Sequence, residues 1–142
     1  MKNVRTGLVA IGLALVALAF ACKSERIIKI MQLGEVVTLK MAESGRLATD
    51  DLTITFKAVT VDSRCPLGVH CVVAGEADVV LTVEQGQNRH DITVTVGAGA
   101  ANEATVQPYT IRILALDPYP VIDQPIEDAD RTIELQVDRV DA

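Results

Sequence analysis

The chain has 142 residues, 49 % of them hydrophobic and 23 % charged, with a formal net charge of −6 and three cysteines. That length allows one ordinary domain, and the apolar fraction is too high for a disordered polypeptide. The acidic balance argues against a nucleic-acid partner, which needs a basic face to displace counterions, and a 3 % aromatic content leaves few rings for stacking sugars or unpaired bases.

The first segment reads as an address. Lys2 and Arg5 precede an uninterrupted apolar run from Gly7 to Ala21, and small residues close it at Ala19-Phe20-Ala21. A basic start, an apolar stretch and an A-x-A end are the three parts of an export signal. As a helix the run would span roughly 22 Å, short of the ~30 Å hydrocarbon core, so a signal peptide over 1–21 is the better reading than a permanent span. With Cys22 behind it, the same end resembles a bacterial lipobox, although Ala19 stands where a lipobox usually carries Leu. A lipobox implies that Cys22 is lipidated, with a diacylglyceryl group and an acyl chain such as palmitate. A free thiol at an exported N-terminus would be a reactive liability, which favours lipid over a general signal-peptidase product. Two attached lipids would make a firm anchor, since one acyl chain binds only marginally. Lys23 follows the cysteine, where Asp commonly retains a lipoprotein in an inner membrane. In a two-membrane bacterium the expectation is therefore the outer membrane, with the domain in the periplasm or at the cell surface.

Removing 1–21 takes two of the 13 cations and none of the 19 acids, so the remaining 121 residues carry −8. Residues 22–33 are expected to be the lipidated N-terminus and a tether with some helical tendency, or else a first edge strand. From 34 to 142 the sequence alternates. Strands are predicted at Gly34–Met41, Leu52–Val61, Ala77–Glu84, His90–Val96, Tyr109–Leu116 and Thr132–Val140, with Gln85–Asn88 as a hairpin turn. In the second of these, Leu52, Ile54, Phe56, Ala58 or Val59, and Val61 fall on one face. In the last, Ile133, Leu135 and Val137 do. The small-residue stretch Gly97–Asn102 reads as an exposed loop. It precedes no helix and holds no Lys, which counts against a phosphate cradle. The fold class is all-β: an antiparallel β-sandwich, immunoglobulin-like or a similar Greek key, of about six to eight strands with one internal disulfide.

Val61–Ala77 is the most distinctive stretch. With Cys22 assigned to lipid, Cys65 and Cys71 are the even remainder of an exported protein and read as a disulfide. Its first role is to pin a strand crossing. Pro66 and Gly68 suit the turn between them. A metal site of Cys65, His70 and Cys71 lacks a fourth ligand nearby, and an oxidising compartment removes its thiolates. A rigid loop also loses little entropy on binding, so Arg64, Pro66, Leu67, Gly68, Val69 and His70 form a candidate contact surface, in the manner of some protease inhibitors.

Asp62–Pro66 (DSRCP), four residues, and Cys71–Ala77 (C-x-x-A-G-E-A) resemble a motif of uncharacterised bacterial secreted proteins and lipoproteins. Members also carry a Pro-Tyr-Pro segment, matched by Pro118-Tyr119-Pro120. The resemblance implies a small β-rich domain and carries no catalytic residue. Val73 stands where the family is expected to hold an aromatic such as Trp.

Catalytic constellations are thin. Asp62, Ser63 and His70 supply the letters of a hydrolase triad without a Gly-x-Ser-x-Gly elbow, and His90-Asp91 reads as a solvated pair at a strand start. No enzyme and no cofactor are expected. The acidic stretch Asp117–Asp130 contains Asp123, Glu127, Asp128 and Asp130, and Asp128-Ala129-Asp130 followed by Glu134 suggests Ca²⁺ ligands, yet neither the spacing nor the turn glycine of an EF-hand is present. The reading is a lipid-anchored, non-catalytic binding or structural module of the bacterial envelope. Its partners would be the membrane and an envelope protein, with no nucleic acid. The alternatives are a protease inhibitor presenting the Cys65–Cys71 loop, or a Ca²⁺- or other metal-binding periplasmic protein.

Overall fold

β-Branched residues at every second position favour strands because their forked side chains pack against neighbours on a pleated surface. A computed structural model describes residues 26–140 and contains nine strands. They are β1 (Ile28–Met31), β2 (Val36–Lys40), β3 (Ser44–Leu47), β4 (Leu52–Asp62), β5 (Glu76–Gln85), β6 (Asn88–Gly97), β7 (Glu103–Val106), β8 (Tyr109–Asp117) and β9 (Thr132–Arg139). Cys22 and the expected signal segment lie outside the described residues.

Two sheets form a sandwich, one of five strands ordered β1-β3-β4-β5-β6 and one of four ordered β2-β9-β8-β7. The fold class is therefore the antiparallel, disulfide-bearing β-sandwich that the sequence predicts, with one parallel pair. β1 runs parallel to β3 because β2, in the opposite sheet, provides the return between them. Of the two expectations for this stretch, a tether or a first edge strand, the described residues contain the edge strand. β1, β3 and β7, of four residues each, raise the strand number above the six to eight expected.

Inward-facing residues of both sheets make one core without tryptophan. Phe56 is its largest fully buried side chain, packed among Leu39, Leu52, Ile54, Leu81, Ile111, Ile113, Ile133 and Leu135. The two-residue turn Gly86-Gln87 joins β5 to β6, with Gln85 opposite Asn88. Outward-facing side chains on the five-stranded sheet bond across strands: Ser44 with Thr55 at 2.7 Å, Thr82 to Asp91 at 2.7 Å, and Thr95 to Asp78 at 2.7 Å. Such pairs stabilise neighbouring strands without adding apolar surface.

Register shifts interrupt β4 between Phe56 and Ala58 and again between Val59 and Val61. Each inserts a residue and changes which side chains face inward. The simple alternation therefore fails at the far end of β4. Val59 packs against the core, whereas Val61 is exposed and Asp62 is largely covered. A similar shift between Ile113 and Ala115 turns Leu114 outward and Leu116 inward.

Candidate functional site

The bulged end of β4 leads into the loop between β4 and β5, which spans residues 63–75. Its base is stitched by Ser63 N–H to Glu76 O at 2.8 Å and Cys65 N–H to Ala74 O at 2.9 Å. Ser63 Oγ donates to the Glu76 carbonyl at 2.9 Å and accepts from the Glu76 N–H at 3.2 Å. Gly75 has φ +71, and a Cβ there would stand 1.8 Å from the Ser63 carbonyl oxygen. The glycine of the A-G-E-A motif is thus required by a backbone crossing. Cys65 and Cys71 are joined, with their Cα atoms 5.9 Å apart, inside the range that a disulfide spans.

Arg64 corrects the sequence reading. Placed among the candidate contact residues, it is only 7 % exposed and points into the fold. Its Nε and one terminal nitrogen each donate to Asp62 at 2.8 Å, a two-point grip on the carboxylate. Its remaining donors reach the Leu116 carbonyl at 2.5 Å and the Pro118 carbonyl at 3.2 Å. The guanidinium also lies 5.1 Å from the Tyr119 ring centroid, a cation–π distance. A cation is stable at this depth because its donors meet a carboxylate and two carbonyls. The inhibitor reading placed Arg64 at the surface, and it loses that residue.

Arg131, directly before β9, completes the network. It donates to Asp62 at 2.8 Å and contacts Asp128 at 3.3 Å. Asp62 thus stands between two guanidinium groups. Burial alone would raise its pKa, but hydrogen bonds from Arg64 and Arg131 and their positive charges outweigh it and lower the carboxyl from 3.8 to about 2. Because the folded pKa is depressed, the stabilisation is whole above the unfolded value of 3.8 and is lost as pH falls through about 2. Acid titration monitored by circular dichroism should therefore show a stability loss across that window, and Asp62→Asn should flatten it. An unchanged acid slope in the variant would contradict the network.

The DSRCP stretch and the Pro-Tyr-Pro segment meet here. DSRCP supplies Asp62 and Arg64, and the Leu116–Pro120 segment, with a cis Asp117–Pro118 bond, supplies the receiving carbonyls of Leu116 and Pro118 and the ring of Tyr119. Tyr119 is partly exposed, with Arg64 across its ring. Farther along, Leu67 N–H donates to the Pro120 carbonyl at 2.9 Å, and Leu67 bridges Val121. The loop is therefore held at its base, at its arginine and along its side.

What remains outside is the tip. Leu67, Gly68, Val69 and His70 are exposed, and Pro66 is partly covered. Val72 and Val73, absent from the expected contact set, are the most open: Val73 is 75 % exposed and Val72 fully so. The triad letters do not assemble. Asp62 is committed to the two arginines, Ser63 to Glu76, and His70 stands on the exposed tip. Among the described residues there is no group of three or more His, Cys, Asp or Glu placed to hold a metal ion. Asp128 and Asp130 sit in a single 3-10 turn, where Asp128 faces Arg131.

The bridge has a direct check. Alkylation without reductant should leave Cys65 and Cys71 unlabelled, and reductant should add two labels. Loop closure over about seven residues is worth ~2.4 kcal/mol in the chain-entropy model, so reduction should also lower the melting midpoint by roughly 10 °C. Labelling before reduction would exclude the bridge.

No protein-family model, curated protein or solved structure matches the chain.

Proposed function

We propose that this is a lipid-anchored, non-catalytic protein of the bacterial envelope that binds an envelope protein through the tip of its disulfide loop. One observation carries the reading: an apolar tip, Leu67, Val69, Val72 and Val73, stands in solvent on a loop fixed by a disulfide, a buried arginine and backbone bonds. Exposed apolar side chains on a mobile loop would lose entropy on binding. On a loop already fixed, that cost has been met in folding, and the apolar area is available to a partner. The anchor at Cys22 follows from the end of the signal segment and holds the domain in the periplasm or at the surface, with the outer membrane favoured by Lys23. A structural role for the loop needs no solvent-facing valines, so the tip is what separates binding from mere bracing.

A photo-crosslinking residue in place of Val72, in cells that retain their envelope, should give a discrete adduct. The adduct should be lost when Cys65 and Cys71 are both replaced by serine in a chain that still folds. The same probe in place of Glu134, exposed on the four-stranded sheet, should not give it. No adduct from Val72, or the same adduct from both positions, would overturn the binding role. For the anchor, the intact mass of membrane-extracted protein should show acylated Cys22, and a water-soluble product with a free thiol would overturn it.

A further inference from the structure

The side of the molecule nearest the anchor combines two kinds of surface. Strand β1 reverses the usual alternation: Lys29 turns inward to Glu43 at 2.7 Å and Met31 is buried, so Ile28 and Ile30 project from the outer face of the five-stranded sheet. They are 54 % and 67 % exposed. Arg46, opposite Ile30, shares that face and is also exposed. Arg26, two residues before β1, lines a depression of about 440 Å³ with Lys57, Arg89, His90 and Asp91. Lys57 is paired with Asp91, and Arg89 with Glu84 at 3.0 Å. Counting Glu76 and Asp78 as well, four cations meet four carboxylates on this face, a far less acidic balance than the −8 that the chain carries from residue 22 onward.

Cys22 lies only four residues before Arg26, so even a fully extended connection reaches about 14 Å. A lipid in the bilayer at that end brings Arg26 and its surroundings to the headgroup layer. Exposed isoleucines beside cations match that layer: apolar side chains enter the acyl boundary, and guanidinium and ammonium groups meet lipid phosphates.

We propose that the outer face of the five-stranded sheet along β1 is the membrane-apposed surface, with Ile28 and Ile30 in the interface and Arg26, Arg46, Lys57 and Arg89 against anionic phospholipid headgroups. This rests on the lipid anchor at Cys22 and adds an orientation to it. The face with Glu103, Glu134 and Asp138 is turned away from the bilayer.

The test uses the full chain matured in cells, extracted and reconstituted in vesicles of phosphatidylcholine alone or mixed with phosphatidylglycerol. Ile30→Cys and Glu134→Cys each introduce one thiol, and reaction with a membrane-impermeant maleimide is timed. In mixed vesicles Ile30→Cys should react about tenfold more slowly than in detergent, and Glu134→Cys should keep its rate. Adding Arg26→Glu and Arg46→Glu should restore much of the Ile30→Cys rate, because each cation at an anionic surface biases the apposed population about fivefold. Ile28→Cys is read in parallel, should the other variant fail to fold. Equal protection of both faces, or of neither, in a chain whose mass shows acylation would overturn the orientation and leave the anchor standing. The same slowing in neutral vesicles would overturn the assignment of anionic headgroups. An unacylated chain that stays off the vesicles would overturn the anchor and this orientation with it.

Discussion

Replacing Arg64 by leucine is expected to lower the unfolding free energy by about 3–5 kcal/mol, the range for removing one partner of a buried ion pair. The loss has three sources. Asp62 keeps only Arg131, the Leu116 and Pro118 carbonyls lose a donor, and Tyr119 loses the cation across its ring. Leucine fills much of the volume, so the experiment reads missing hydrogen bonds more than a cavity. Arg64→Lys should fall between the two proteins, because one ammonium cannot grip Asp62 at two points and also reach both carbonyls. Denaturant titration at neutral pH decides it. A variant within about 0.5 kcal/mol of the parent, the range of an ordinary surface change, would mean the arginine is not buried in this way.

Gly75→Ala should be as damaging despite adding one methyl group. At φ +71 an alanine sits in strained backbone, and its Cβ would meet the Ser63 carbonyl oxygen at 1.8 Å. Relief requires the two sides of the loop base to part, breaking the bonds between Ser63 and Glu76 and between Cys65 and Ala74. Backbone strain and overpacking together predict a loss of about 2–5 kcal/mol. Gly86→Ala is the control. It also has positive φ, but no atom lies within 4 Å of its added Cβ, so it isolates strain from collision. Equal losses at both positions would show that φ alone is responsible and that the strand ends do not approach so closely.

The strands that sequence reading found are those where position and burial coincide. β5, β6, β8 and β9 place β-branched residues on alternate faces for long enough to be recognised. β3 (Ser44–Leu47) offers only one large apolar residue. It is a buried strand because Gly45 leaves room for Met31, whose sulfur would stand 2.3 Å from an added Cβ. β1 was ambiguous for the opposite reason: its isoleucines face out and its lysine faces in. The bulges in β4 leave no mark in the sequence because a run of Thr, Ala and Val satisfies either face.

At the loop, cysteine parity was enough to pair Cys65 with Cys71. The burial of Arg64 is not legible there, because a charged residue beside a stapled turn reads as solvated, and the carbonyls that receive it lie more than fifty residues along the chain. A local pattern cannot contain that information. Asp62 stands out in the sequence only as one letter of a triad that the structure does not assemble. Arg131 carried no such mark, being one basic residue in an acidic stretch.

The pairing of β2 with β9 gives the chain an order of assembly. Val36 lies opposite Gln136, so the four-stranded sheet joins an early strand to the last one. On a polypeptide that emerges N-terminus first, β4, β5 and β6 can pair as neighbours, while β2 must wait for almost everything that follows. The residue just ahead of that last strand is Arg131, which reaches back to Asp62. Closure of the second sheet and bracing of the disulfide loop are therefore one late event. A chain cut short before Arg131 would leave β2 without the strand that joins it to β8 and, at the same stroke, would lose the final support beneath its exposed tip.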